Sequence, residues 1–188
     1  MRSERHITSG RAVLAAEVVG VRRPVVFLHA HVCDQRMWRA QMDAVGADHM
    51  AVSYDRRGYR TTQSELEDFS AVADLIAVID SDAEGQIAIL VGCSYGGKIA
   101  IDAALRHPAR IAGLVLNAPN VDGAPSPVYP PDIRKMLEEQ TSAEDAGDLD
   151  RVNVIQARLW LDGPLTEDGR VAGPARQLFL DTNGAVQR

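Results

Sequence analysis

Gly92-Cys93-Ser94-Tyr95-Gly96 sets a serine two residues from a glycine on either side. The segment follows the apolar run 87–91 and precedes a helical pattern that opens at Gly97, so it reads as strand, sharp turn and helix. Glycine suits such a turn because strand and helix backbones approach where a Cβ would clash. Ser94 then stands at the tip of the turn above a helix N-terminus, which favours developing negative charge. A serine so placed can attack an acyl carbon if a base takes its proton; the plain alternative is an ordinary serine at a helix start. Cys93 in the turn and Cys33 further back both read as packing residues. His107 falls at a helix C-terminus, where a cation is favourable, and His6 and His49 have no nameable partner. No His/Cys/Asp cluster has ligand spacing, so no metal is expected, and no cofactor is implied.

The elements that must hold this turn alternate in type. Residues 25–28, 50–54, 86–91 and 111–116 are short apolar runs without strict alternation, as in parallel strands covered on both faces. Between them, Met37, Trp38, Gln41, Met42 and Val45 share one helical face, with Asp34 as N-cap. Phe69, Val72, Ile76 and Ile79 form a second stripe, ended by Glu84-Gly85; Gly97, Ala100, Ile101 and Ala104 form a third. Residues 6–8 and 12–19 flank Ser9-Gly10 as a hairpin. The order β-β-β-α-β-α-β-α-β predicts an α/β fold with a doubly wound, mostly parallel sheet and helices on both faces. After Leu116 the character changes: prolines at 125, 127, 130 and 131 precede a strand-free, helical stretch. A helix is expected from Pro131 through Met136 and Leu137, another through Val152, Ile155 and Leu159 to Gly163-Pro164, and a last one after Pro174. The acids between Glu138 and Asp150 read as a solvated face.

With 188 residues, 46% of them apolar, the chain can build a sizeable core. A net charge of −6 argues against a nucleic-acid partner. No run approaches the ~18 apolar residues of a membrane span, and Met1 to His6 lacks the apolar core of a signal peptide. Two cysteines fit a reducing compartment, so a cytoplasmic location is expected.

Taken in order, these segments resemble the α/β-hydrolase family. Leu28-His29-Ala30-His31, followed by Met37-Trp38, looks like the family's His-Gly loop and next helix. Asp55-Arg56-Arg57-Gly58-Tyr59 looks like its D-x-R-G-x-G loop, and residues 92–119 look like the nucleophile elbow and the run after it. The resemblance covers about residues 12–120. It implies a hydrolase core over 1–123 and a helical cap or lid over 124–188 that chooses the substrate. Ser94 takes the nucleophile position. The backbone amides of Tyr95 and His31 form the oxyanion hole, and His29, Ala30, Gly92, Gly96 and Gly97 are structural residues of the site. Ala30 and Arg60 stand where the family carries glycine. Asp122, after the strand 111–116, is the candidate acid. In the family the base histidine follows the last strand, a position that none of His6, His29, His31, His49 and His107 occupies.

The implied reaction is hydrolysis of a small ester, lactone or related acyl compound through an acyl-enzyme on Ser94, in a chain that is incomplete as it stands. The alternatives are a non-catalytic binding module, or a fragment that needs a second chain. The expected partner is a small-molecule acyl substrate, with self-association through an unpaired sheet edge.

Overall fold

The computed structural model describes residues 1–81 and 85–186, with side chains up to residue 184. Strands β1 (Arg2–Ser9) and β2 (Ala12–Val19) form the expected hairpin, with Arg2 opposite Val19 and Ser9 opposite Ala12. Next come β3 (Pro24–Leu28), helix α1 (Arg39–Val45), β4 (Met50–Tyr54), β5 (Gln63–Ser64), α2 (Ala71–Ile79), β6 (Ala88–Cys93), α3 (Tyr95–Arg106) and β7 (Ile111–Asn117). The sheet runs β1-β2-β4-β3-β6-β7, with β5 paired to β2. Strands β4, β3, β6 and β7 are mutually parallel, while β2 joins β4 antiparallel. The α/β class read from the sequence is the one observed.

Two-sided burial of the central strands explains their unbroken apolar runs. In β3, Val26 and Leu28 pack on the face covered by α2 and α3. Val25 and Phe27 pack on the opposite face against Trp38 and Met42. Strand β4 divides in the same way, with Met50, Val52 and Tyr54 on the first face and Ala51 on the second. Burying side chains of this size stabilises the fold by roughly 1.5–3 kcal/mol each.

Four details differ from the sequence reading. A 3₁₀ turn, Gln35–Trp38, precedes α1, and Asp34 caps that turn by accepting from the Arg36 amide. Helix α2 starts after Ser70, whose hydroxyl caps it, so Phe69 lies outside the helix. That helix ends at Ile79 with Asp80 as its cap; Glu84 lies outside the described residues. Strand β5 has no apolar signal because both its residues are exposed. Finally, the apolar run 111–116 predicts a covered strand, yet Leu114, Val115 and Leu116 of β7 are exposed. Among the described residues it pairs only with β6, which leaves it at the sheet edge.

Two compact units divide the chain, residues 1–122 and 123–188. The second holds α4 (Pro131–Asp145), α5 (Leu149–Gln156), a π turn (Ala157–Asp162) and α6 (Pro174–Val186). Its acids from Glu138 to Asp150 are exposed, as a solvated face requires. Asp162 is fully buried there and accepts from the Gly169 and Val171 amides and from Arg176. Burial opposes its charge, but Arg176 and the two amides outweigh that and hold its carboxyl at about 2.

Candidate active site

Ser94 joins β6 to α3 at φ +51°, ψ −116°, in the left-handed half of backbone space that side-chain-bearing residues rarely enter. Such strain persists only where the surroundings enforce it. Here the Ser94 amide donates to the Asn117 carbonyl (3.0 Å), and the Ser94 carbonyl accepts from the amides of Lys98 and Asn120 (both 3.1 Å). The turn is thereby tied to the loop after β7.

The three glycines supply clearance. A Cβ on Gly92 would meet the Gly96 carbonyl oxygen and the Gly97 Cα at 2.7 Å. One on Gly96 would meet the Leu28 carbonyl oxygen at 2.3 Å, and one on Gly97 would meet Pro119 at 2.7 Å. The elbow is therefore pressed between the end of β3 and the end of β7. Ser94 makes no side-chain capping bond to α3, so its half-buried hydroxyl is not spent on holding the helix. Among the described residues no imidazole hydrogen-bonds that hydroxyl, and no acceptor engages the amides of Tyr95 or His31.

His29 is fully buried at the end of β3. Its Nε2 accepts from the Arg56 amide (3.2 Å), and its Nδ1 faces the Ala30 carbonyl (2.8 Å), the pattern of a neutral ring protonated on Nδ1. Burial, reinforced by the Arg56 charge, pushes its imidazole down to about 3. His29 is thus a neutral strut between two loops. His31 takes a hydrogen bond through its carbonyl from the Tyr59 hydroxyl (2.9 Å), and its Nδ1 lies 2.9 Å from the same oxygen. Partial burial and Arg56 hold its imidazole below the ordinary histidine range.

Both departures from the glycine pattern have local explanations. Ala30 does not have positive φ, so its Cβ is accommodated without backbone strain. Arg60 does sit at φ +43°, where glycine is the easier residue, and its guanidinium lies 3.9 Å from both Asp34 and Asp55.

Asp55, fully buried, accepts from the Gln35 amide (2.9 Å) and side chain (3.1 Å). Burial and then the Asp34 charge raise its carboxyl to about 6, against the opposing pull of the Gln35 and Arg60 donors. A folded value above the unfolded one means that the folded chain holds an extra proton between about pH 4 and pH 6. The Asp55 contribution to stability is therefore fullest below pH 4 and falls as pH rises through 6, by about 3 kcal/mol at most. Urea unfolding of Asp55→Asn should show the variant gaining on the parent across this window and then levelling off. A difference constant from pH 4 to 7 would contradict it.

Arg57 is the anchor of the same loop. It grips Asp74 through two nitrogens (2.9 Å each), Glu67 (2.6 Å) and the Ser9 carbonyl (2.8 Å), and stacks over Phe69.

Of the residues singled out from the sequence, Ser94, Tyr95, His29, Ala30, His31 and the three glycines gather at the C-terminal ends of β3 and β6. Asp122 does not join them in any hydrogen bond: its exposed carboxylate pairs with Lys98 (2.6 Å), which also holds Asp102 (2.8 Å). Burial raises the Cys93 thiol, which fits a packing residue rather than a thiolate. Arg56 and Tyr54, which also lie at this end of the sheet, carry no separate signal in the sequence beyond the place of Arg56 in the 55–59 loop.

The alpha/beta hydrolase family model matches residues 25–186, and the chain belongs to that family. The AB hydrolase superfamily protein YisY of Bacillus subtilis is 29% identical over 140 residues, covering 72% of this chain and 50% of YisY. Epoxide hydrolase B of Mycobacterium tuberculosis is 35% identical over 97 residues, covering 48% of this chain and 27% of that protein. The crystal structure of the esterase RhEst1 from Rhodococcus superposes with a TM-score of 0.70 at 23% identity, covering 99% of this chain and 70% of that one. The chain thus spans half or less of the length of these curated relatives. Among the described residues no helix is long and apolar enough to cross a membrane.

Proposed function

We propose that the protein is a serine hydrolase that cleaves a small ester, lactone or related acyl compound through an acyl-enzyme on Ser94. The observation that carries this reading is the enforced positive φ of Ser94, whose hydroxyl makes no capping bond to α3. In the proposed step Ser94 Oγ adds to the acyl carbon while its proton passes to a base. The oxyanion rests on the amides of Tyr95 and His31; its collapse breaks the bond to the leaving oxygen, which takes the proton back from the base and departs as the alcohol, leaving an ester on Ser94 that water later cleaves. A neutral hydroxyl is a poor nucleophile without such a base. The neutral, hydrogen-bonded His29 is not a candidate for it. The esterase among the structural neighbours supports ester chemistry.

Intact-mass analysis after exposure to a fluorophosphonate, with peptide mapping, tests the assignment. We expect one adduct on the Ser94 peptide and none in Ser94→Ala. A folded protein that takes no adduct would remove Ser94 as nucleophile and favour a binding module built on the same fold.

A further inference from the structure

Beside the elbow lies a cavity of about 330 Å³, walled by His31, Tyr54, Arg56, Tyr59, Phe69 and Tyr95 together with the Arg57–Asp74 pair. It adjoins both residues whose amides were assigned to the oxyanion. Its volume is at the small end of ligand pockets, and much of its wall is aromatic.

Two features of the wall point to a missing acceptor. The first is Arg56, which is 7% exposed and pairs with no carboxylate among the described residues. Its guanidinium lies between the rings of Tyr59 (4.6 Å) and Tyr95 (4.8 Å) and donates to the Ala30 carbonyl (3.1 Å). Ring faces, a neutral imidazole (Arg56 Nε to His29 Nε2, 3.4 Å) and one carbonyl stabilise a cation but leave its charge unneutralised, whereas buried charges are ordinarily paired. The second is Tyr54, 1% exposed, whose hydroxyl has no hydrogen-bond partner among the described residues. A buried donor left unsatisfied costs about 1–3 kcal/mol, so such groups call for an explanation. The other charges on the wall do not answer these donors. Asp74 is already held by two Arg57 nitrogens and by the Ser9 hydroxyl (2.6 Å), so among the described residues the guanidinium of Arg56 is the charge on that wall without a carboxylate.

We propose that this cavity binds a carboxylate on the substrate, with Arg56 as its counter-charge and the Tyr54 hydroxyl as a second donor. The substrate is accordingly a small ester or lactone that carries a carboxylate and a flat or aliphatic body, held against Tyr95 and Phe69. This substrate class rests on the Ser94 hydrolase reading. The anion site itself needs only the two donors.

Equilibrium binding separates the two. Phenylacetate and its uncharged isostere phenylacetamide are titrated into the protein, into Ser94→Ala and into Arg56→Gln, followed by calorimetry or by ligand-observed NMR. Phenylacetate should bind the protein and Ser94→Ala alike, about 10-fold or more tighter than the amide, as expected for charge-assisted hydrogen bonds. Arg56→Gln should abolish that preference, and Arg56→Lys should restore part of it. Tyr54→Phe covers the case in which Arg56→Gln fails to fold: it should weaken phenylacetate severalfold, leave phenylacetamide unchanged, and leave the unliganded fold at least as stable. Equal binding of the two probes, or a preference that survives both Arg56→Gln and Tyr54→Phe, overturns the anion site. Arg56-dependent phenylacetate binding in a protein whose Ser94 takes no fluorophosphonate sustains the anion site and removes only the nucleophile.

Discussion

A Gly96→Ala variant is expected to lose about 3 kcal/mol of folding stability, the upper part of the range for overpacking, and to lose Ser94 reactivity more steeply still. The new methyl group would lie 2.3 Å from the Leu28 carbonyl oxygen and 2.7 Å from that of His29. Both obstacles are backbone of β3 and its loop, so no rotamer change relieves them. Relief requires α3 to move away from β3, and that movement separates Ser94 and the Tyr95 amide from the His31 amide across the proposed oxyanion site. A displacement of about 1 Å in such a site lowers rate on the order of 100-fold. Gly113→Ala on β7, where nothing lies within 4 Å of the new Cβ, is the matched control and should be neutral or mildly stabilising. Urea midpoints give the first effect, and fluorophosphonate labelling rates of the folded fractions give the second. Equal midpoints for the two alanine variants would show that the elbow is not clamped as described.

Arg57→Ala should be the more damaging change, at about 3–5 kcal/mol, because it strands a buried carboxylate. Asp74 and Arg57 are almost equally enclosed, with side chains 5% and 7% exposed. Without the guanidinium, Asp74 keeps only the Ser9 hydroxyl (2.6 Å). The same side chain ties four separate segments together: the β1–β2 turn through the Ser9 carbonyl, the chain before α2 through Glu67, α2 through Asp74, and its own loop after β4. Arg57→Lys should recover only part of the loss, since a single ammonium cannot meet two carboxylates and a carbonyl in one plane. The diagnostic measurement is a double-mutant cycle. Arg57→Met combined with Asp74→Leu should be much less destabilised than the sum of the singles, because removing both charges leaves none unpaired. Additive losses would mean that the pair acts through packing alone.

Most of the fold was legible because its signals are local. The apolar runs of β3 and β4, the cap at Asp34, the prolines that open α4 and α6 and the hairpin at Gly10 each follow from a few adjacent residues. The elbow was legible for the same reason, since its glycines and serine are contiguous. What escaped was whatever depends on distant segments. Strand β5 exists only because β2 offers it a partner, and the exposure of β7 depends on what packs beside it rather than on its own apolar sequence. The Lys98–Asp122 ion pair, which ties the first turn of α3 to the loop after β7, is of the same kind.

By itself the sequence determined that the chain is an α/β protein of the hydrolase type with a serine on a strained turn, because hydrophobic period, glycine placement and motif order are properties of neighbours along the chain. Only the tertiary structure decided which polar groups are spent. It made His29 a neutral strut, neutralised Arg57 with Asp74 and Glu67, and, among the described residues, left Arg56 without a carboxylate and the Tyr54 hydroxyl without a partner beside the elbow. Burial and pairing arise between segments tens of residues apart, and no pattern along the chain encodes how many partners a side chain will find there.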